Sequence, residues 1–153
     1  MSYVFVRGEF GENLPPPWIN LCPKKTYSEL SREIATLQKP ITLLGHSYGA
    51  FVAMQLVGYD TLILVAPIGL SPRLGYLGQF FAVFFLLFGE LSYKHIGWRN
   101  FGFEWLDVVE APPNSTIYLG LYDYIIPVSS VSAPKSTIVV VNAGHHLTDF
   151  HIT

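Results

Sequence analysis

The chain has 153 residues, half of them apolar, with 13% charged and a formal net charge of −2; that is enough apolar matter for one buried core and too much for a disordered chain. So sparse a charge lacks the concentrated basic face that a phosphate backbone demands, which excludes nucleic acid as an expected partner. The one cysteine, Cys22, can close no internal disulfide and has no second thiol for a zinc site, so packing must stabilise the fold, and a reducing, cytoplasmic setting without a bound metal is expected.

Met1 to Arg7 has neither the positive start, the longer apolar stretch nor the small-residue cleavage site of a secretory leader, and Tyr3–Val6 reads as a first core strand. The loop Arg7-Gly8-Glu9-Phe10-Gly11 follows, with two glycines that let backbone amides turn toward a ligand, and Pro15-Pro16-Pro17 closes it. Trp18–Leu21 reads as a second short strand stopped by Pro23. Thr26 and Glu29 make a capping-box pattern, and Tyr27, Leu30, Ile34 and Leu37 recur at helical spacing until Pro40 forbids continuation. Ile41–Leu44 is the next strand, a helix is expected from Tyr48 to Val57 with Gly58 as its stop, and Thr61–Ala66 is apolar throughout. Ile117–Leu121 and Thr137–Val141 supply two later strands.

Strands that are unbroken apolar runs, separated by helices, predict a parallel sheet covered on both faces. The fold class is therefore α/β: a compact three-layer sandwich around a mostly parallel sheet of about five or six strands, with the whole chain as a single domain. Residues 68–115 interrupt the pattern as a short, aromatic, cap-like insertion. Its densest part, Leu74 to Leu91, includes the run from Phe80 to Phe88, far short of the about 20 apolar residues that a membrane span needs. A buried or pocket-lining helix is expected here rather than a mobile lid. Phe80, Phe81, Phe84 and Phe85 would then favour an apolar substrate group, while peripheral lipid contact is the sharper alternative.

The chemistry-bearing motif is Gly45-His46-Ser47-Tyr48-Gly49, set between a strand and a helix. A turn that swings a serine out of a strand end strains the backbone and tolerates only small residues two places to either side, as Gly45 and Gly49 provide. Serine is a weak nucleophile without a base, and the base needs a partner that fixes its tautomer. Asp123 lies just beyond the Ile117 strand and Gly144-His145-His146 just beyond the last one. In an open parallel sheet the carboxyl ends of the strands share one edge, so Ser47, Asp123 and His145 are predicted to converge. His146 competes as the base and Asp149 as the acid. Asp60 precedes its strand and falls at the opposite edge; Glu104, Asp107 and Glu110 read as solvated, His46 as a turn residue, and His95 and His151 have no partner pattern.

The order Ser, Asp, His, carried by Gly45-His46-Ser47-Tyr48-Gly49, Gly120-x-x-Asp123-x-x-x-Pro127 and Ala143-Gly144-His145, resembles the α/β-hydrolase superfamily over nearly the whole chain. The resemblance implies a minimal, truncated serine hydrolase of the esterase–lipase kind, beginning where the family's third strand begins and needing no cofactor. Ser47 would be nucleophile, His145 the base and then the acid, and Asp123 its orienting partner. His145 is preferred over His146 because the family's base commonly follows a glycine. The oxyanion donors would be the amide of Tyr48 and that of Glu9 or Phe10, in a loop where Arg7 replaces the usual histidine. The expected reaction is cleavage of a small-molecule carboxylic ester or thioester, with acyl transfer, amide hydrolysis, or a catalytically silent binding or membrane-surface role as alternatives.

Overall fold

The computed structural model describes residues 1–8, 11–88, 96–99, 102–105 and 107–151. Six strands, β1 (Ser2–Val6), β2 (Trp18–Leu21), β3 (Ile41–His46), β4 (Thr61–Val65), β7 (Thr116–Gly120) and β8 (Thr137–Val141), form one sheet in the order β2-β1-β3-β4-β7-β8. Every pairing in it is parallel. This agrees with the α/β expectation. It also puts the carboxyl ends of β3, β7 and β8 on one edge.

Apolar residues of both pleat directions are buried, as a two-sided sheet requires. Val4, Val6, Leu43, Leu64 and Leu119 meet helix α1 (Tyr27–Ala35) through Leu30 and Ile34, and α2 (Tyr48–Ala53) through Ala50 and Val52. On the opposite face Phe5, Leu44 and Val65 meet Phe150, Leu147, Leu14 and Trp18. Loops and the short 3-10 turn Leu147–Phe150 supply this second cover.

Helix α1 starts as the capping pattern predicts, with Thr26 accepting from the Glu29 amide and Glu29 returning the bond to the Thr26 amide. Helix α2 is shorter than the spacing predicts. It ends at Ala53 because Gln55 and Leu56 tighten into bonds with the carbonyls of Val52 and Ala53, and the Val57 amide is taken by Ser31 Oγ at 3.2 Å. Gly58 still makes the left-handed turn, at φ 98°.

The insertion carries helix α3 (Tyr76–Phe88) and an antiparallel hairpin of β5 (Ile96–Arg99) and β6 (Gly102–Trp105), whose four-residue strands are too short for their alternation to stand out in the sequence. A buried or pocket-lining helix was expected here; among the described residues Gly78 is buried, but several side chains show that α3 is not enclosed on all sides. Tyr76 is 92% exposed, Phe80 67%, Leu87 68% and Phe88 69%. The helix is apolar all round, so no single buried stripe can accommodate it. Among the described residues, no helix is long and apolar enough to cross a membrane.

Candidate active site

Ser47 follows the last residue of β3 and adopts φ 56°, ψ −121°, a strained conformation for a residue with a side chain. Its amide donates to the Val65 carbonyl of β4 at 3.0 Å, which holds the turn against the sheet. The small neighbours are sterically compulsory. A β-carbon on Gly45 would stand 2.6 Å from Ala50 Cα, and one on Gly49 would strike the main-chain oxygens of Val6 and Arg7.

Asp123 follows the end of β7, and its side chain is fully buried. Oδ1 accepts the amides of Ile125 and Ile126, each at 2.9 Å, while Oδ2 lies 2.8 Å from His145 Nδ1. Three donors thus balance a carboxylate that water does not reach. Because a carboxylate accepts, His145 Nδ1 carries the proton and Nε2 presents its lone pair to Ser47 Oγ at 3.0 Å. The arrangement can draw the proton from Ser47 and leave a nucleophilic oxygen at the mouth of a strained turn.

These contacts unite residues from three strand ends, with Ser47 and His145 98 positions apart. The profile of the alpha/beta hydrolase family matches residues 8–134. The chain belongs to that family. Solved structures agree on the fold: the thioesterase domain from the curacin biosynthetic pathway superimposes with TM-score 0.59 at 13% identity, covering 97% of this chain and 86% of that one. BpoC from Mycobacterium tuberculosis gives 0.59 at 15% identity over 94% and 84% of the two chains, and the pyrethroid hydrolase PytH gives 0.54 at 11% over 98% and 92%. Comparison with curated protein sequences returned no match.

In this alpha/beta hydrolase His145, not His146, faces Ser47; His146 is exposed and precedes the 3-10 turn. Asp149 is exposed, while Asp60 accepts the Ile41 amide at the far end of β3. Glu110 is solvated and pairs with Lys135 at 3.3 Å. His151 is exposed, and His95 lies outside the described residues.

Tyr48 opens α2 beside Ser47. Glu9 and Phe10 lie outside the described residues, but the loop that carries them is held at both ends. The Gly11 amide donates to the Gly8 carbonyl at 3.2 Å, and Arg7 Nη1 approaches the carbonyls of Gly8 and Gly11 at 3.4 and 3.3 Å. Gly8 lies close against Ser47, since a β-carbon there would stand 2.9 Å from Ser47 Cβ.

A cleft of about 400 Å³ opens beside Asp123, lined by Gly75, Tyr76, Leu121, Asp123, Tyr124 and residues 127–129. It touches neither Ser47 nor His145. Phe80 and Phe84 stand on α3 away from it, 67% and 43% exposed, and the side chains of Phe81 and Phe85 lie outside the described residues. Two features had no recognisable signal in the sequence: the approach of Gly8 to Ser47 and a bond from His46 Nε2 to the His145 carbonyl at 2.7 Å. Each joins segments whose proximity only the folded sheet creates.

Proposed function

We propose that this chain is a serine hydrolase that cleaves a carboxylic ester, or the related thioester, bearing an apolar group, through an acyl-enzyme on Ser47. The observation that supports this reading is the run of short contacts from Asp123 Oδ2 to His145 and from His145 Nε2 to Ser47 Oγ, at 2.8 and 3.0 Å. In this reading Ser47 Oγ attacks the substrate carbonyl while Nε2 takes its proton. The imidazolium that forms is stabilised by Asp123 and returns the proton to the leaving alcohol or thiol. Water then attacks the acyl-enzyme with His145 again as base. The amide of Tyr48, with that of Glu9 or Phe10, is the proposed oxyanion hole; one such donor is worth roughly 3 kcal/mol of transition-state stabilisation.

Residues 68–115 are proposed as a small cap within the single domain, with Phe80, Phe81, Phe84 and Phe85 offering apolar surface to the acyl or alcohol group. The same steps serve acyl transfer or amide cleavage when the acceptor or leaving group changes. The test is hydrolysis of p-nitrophenyl esters of increasing acyl length by the native protein, Ser47→Ala and His145→Ala. Turnover in the native protein alone is expected, and the best chain length sizes the pocket. Equal background rates in all three folded proteins would reject the reading.

A second reading, a hydrolase fold acting at a lipid surface without turnover, draws on the exposed side chains of Tyr76, Leu87 and Phe88. Flotation with phosphatidylcholine vesicles that persists in Ser47→Ala, together with no turnover, would favour it.

A further inference from the structure

We infer that His46 is a positioning residue for the base: its Nε2–H grips the carbonyl oxygen of His145 and fixes the loop that carries the base to the strand that carries the nucleophile. This rests on the hydrolase reading above. His46 is the last residue of β3, which lies between β1 and β4, and it is held in register opposite Val65. Its backbone is therefore among the best-anchored at the site. His145, by contrast, follows β8, which among the described residues is an edge strand paired only with β7. The loop's other main-chain bonds among the described residues run to the acid side, from the Tyr122 amide to the Ala143 carbonyl at 3.0 Å, or stay local, from the Asp149 amide to the His146 carbonyl at 3.1 Å. The bond from His46, spanning 99 positions at 2.7 Å, ties the loop to the nucleophile side independently of the reacting atoms.

The acceptor settles the tautomer, because a carbonyl only accepts, so Nε2 holds the proton and Nδ1 is bare. The two imidazole rings lie 5.4 Å apart between centroids. Burial, helped by the neighbouring His145 ring, holds His46 well below the ordinary histidine range, at about 4. A neutral ring is what the position requires. A second cation there would oppose the imidazolium that forms on His145 during turnover. With the anchor lost, Nε2 of His145 would wander from Ser47 Oγ, and a displacement of about 1 Å in such a geometry can lower the rate roughly 10²-fold.

Two amide variants separate the bond from mere packing. In His46→Gln the side-chain amide falls where Nε2 was; in His46→Asn it falls where Nδ1 was and cannot reach the His145 carbonyl. Both are polar and of similar size. Turnover of a p-nitrophenyl ester is measured for the native protein and both variants, with amide hydrogen exchange of residues 143–147 alongside. His46→Asn is expected to lose roughly 10²-fold in kcat with KM unchanged and to exchange faster in the loop. His46→Gln is expected to keep kcat within a few-fold and native exchange. Equal kcat and equal exchange in the two folded variants would overturn the proposal, as would a loss of KM alone. If His46→Asn does not fold, loss of kcat in a folded His46→Gln would overturn it, and native kcat with native loop exchange there would support it. Absence of Ser47-dependent turnover in the native protein rejects the hydrolase reading instead, while hydrogen exchange still reports whether the tether holds the loop.

Discussion

Gly120, the last residue of β7, lies directly under the main chain of Gly144: a β-carbon on it would stand 2.5 Å from the Ala143 carbonyl oxygen and closer still to that of Gly144. The strand that leads to Asp123 and the loop that carries His145 touch through their backbones. In Gly120→Ala the loop must lift, because neither backbone oxygen can yield as a flexible side chain would. We expect kcat to fall roughly 10²-fold while the protein stays folded. Ester kinetics and a thermal melt on the same preparation check this, and unchanged kcat would refute it.

Asp123 should be more damaging to truncate than to neutralise. Asp123→Ala leaves the amides of Ile125 and Ile126, both now bonded to Oδ1, without an acceptor in a buried site, at about 1–3 kcal/mol each. Asp123→Asn keeps an oxygen for them and loses only the correct pairing with His145 Nδ1. Urea unfolding should rank native, Asn, Ala in falling stability, whereas turnover should fall roughly 10⁴-fold in both variants.

Acid should weaken the fold through His46. Its folded value of about 4 lies below the ordinary 6.5, so between those limits the unfolded chain binds a proton that the folded chain refuses. Stability therefore falls as pH drops from about 6.5 to about 4, by on the order of 3 kcal/mol from this group. Urea midpoints at pH 7 and pH 4.5 for the native protein and His46→Gln measure the effect. The variant should show the smaller acid loss, and equal losses would disprove the assignment.

Thr26→Ala should remove about 1 kcal/mol of stability by breaking the capping box of α1, with turnover at room temperature unchanged. The Thr26 amide, and after it the Thr26 hydroxyl, also hold the Glu29 carboxyl below its usual range, and the substitution removes the hydroxyl's part. That contribution is present above the ordinary glutamate value and disappears as pH falls through the folded one. Thermal melts at neutral and acid pH should therefore bring native and Thr26→Ala closer together at the acid end.

Local grammar makes much of this legible in the chain alone. The capping box, the glycines flanking Ser47 and the apolar strand runs each act within a few residues, so their sequence spacing carries their meaning. The order of Ser47, Asp123 and His145 was readable for a different reason: parallel strands send all their carboxyl ends to one edge. The insertion was not readable. In α3 nearly every residue is apolar, so periodicity cannot say which face is covered, and the β5–β6 hairpin alternates over only four residues in each strand, too few to stand out from chance. The bond between His46 and His145 joins positions that nothing in the linear chain relates.

The position of β8 at the sheet margin has a consequence for how this molecule fails. Among the described residues the strand has one neighbour, and Ile138 and Val140 on it are 40% and 47% exposed. Elements with few buried contacts open first on heating. Fraying of that margin would carry the histidine away while β1, β3 and β4 keep the serine poised and the far-ultraviolet signal nearly intact. Heat should thus silence the protein reversibly several degrees before it melts, leaving a folded body with a disarmed serine.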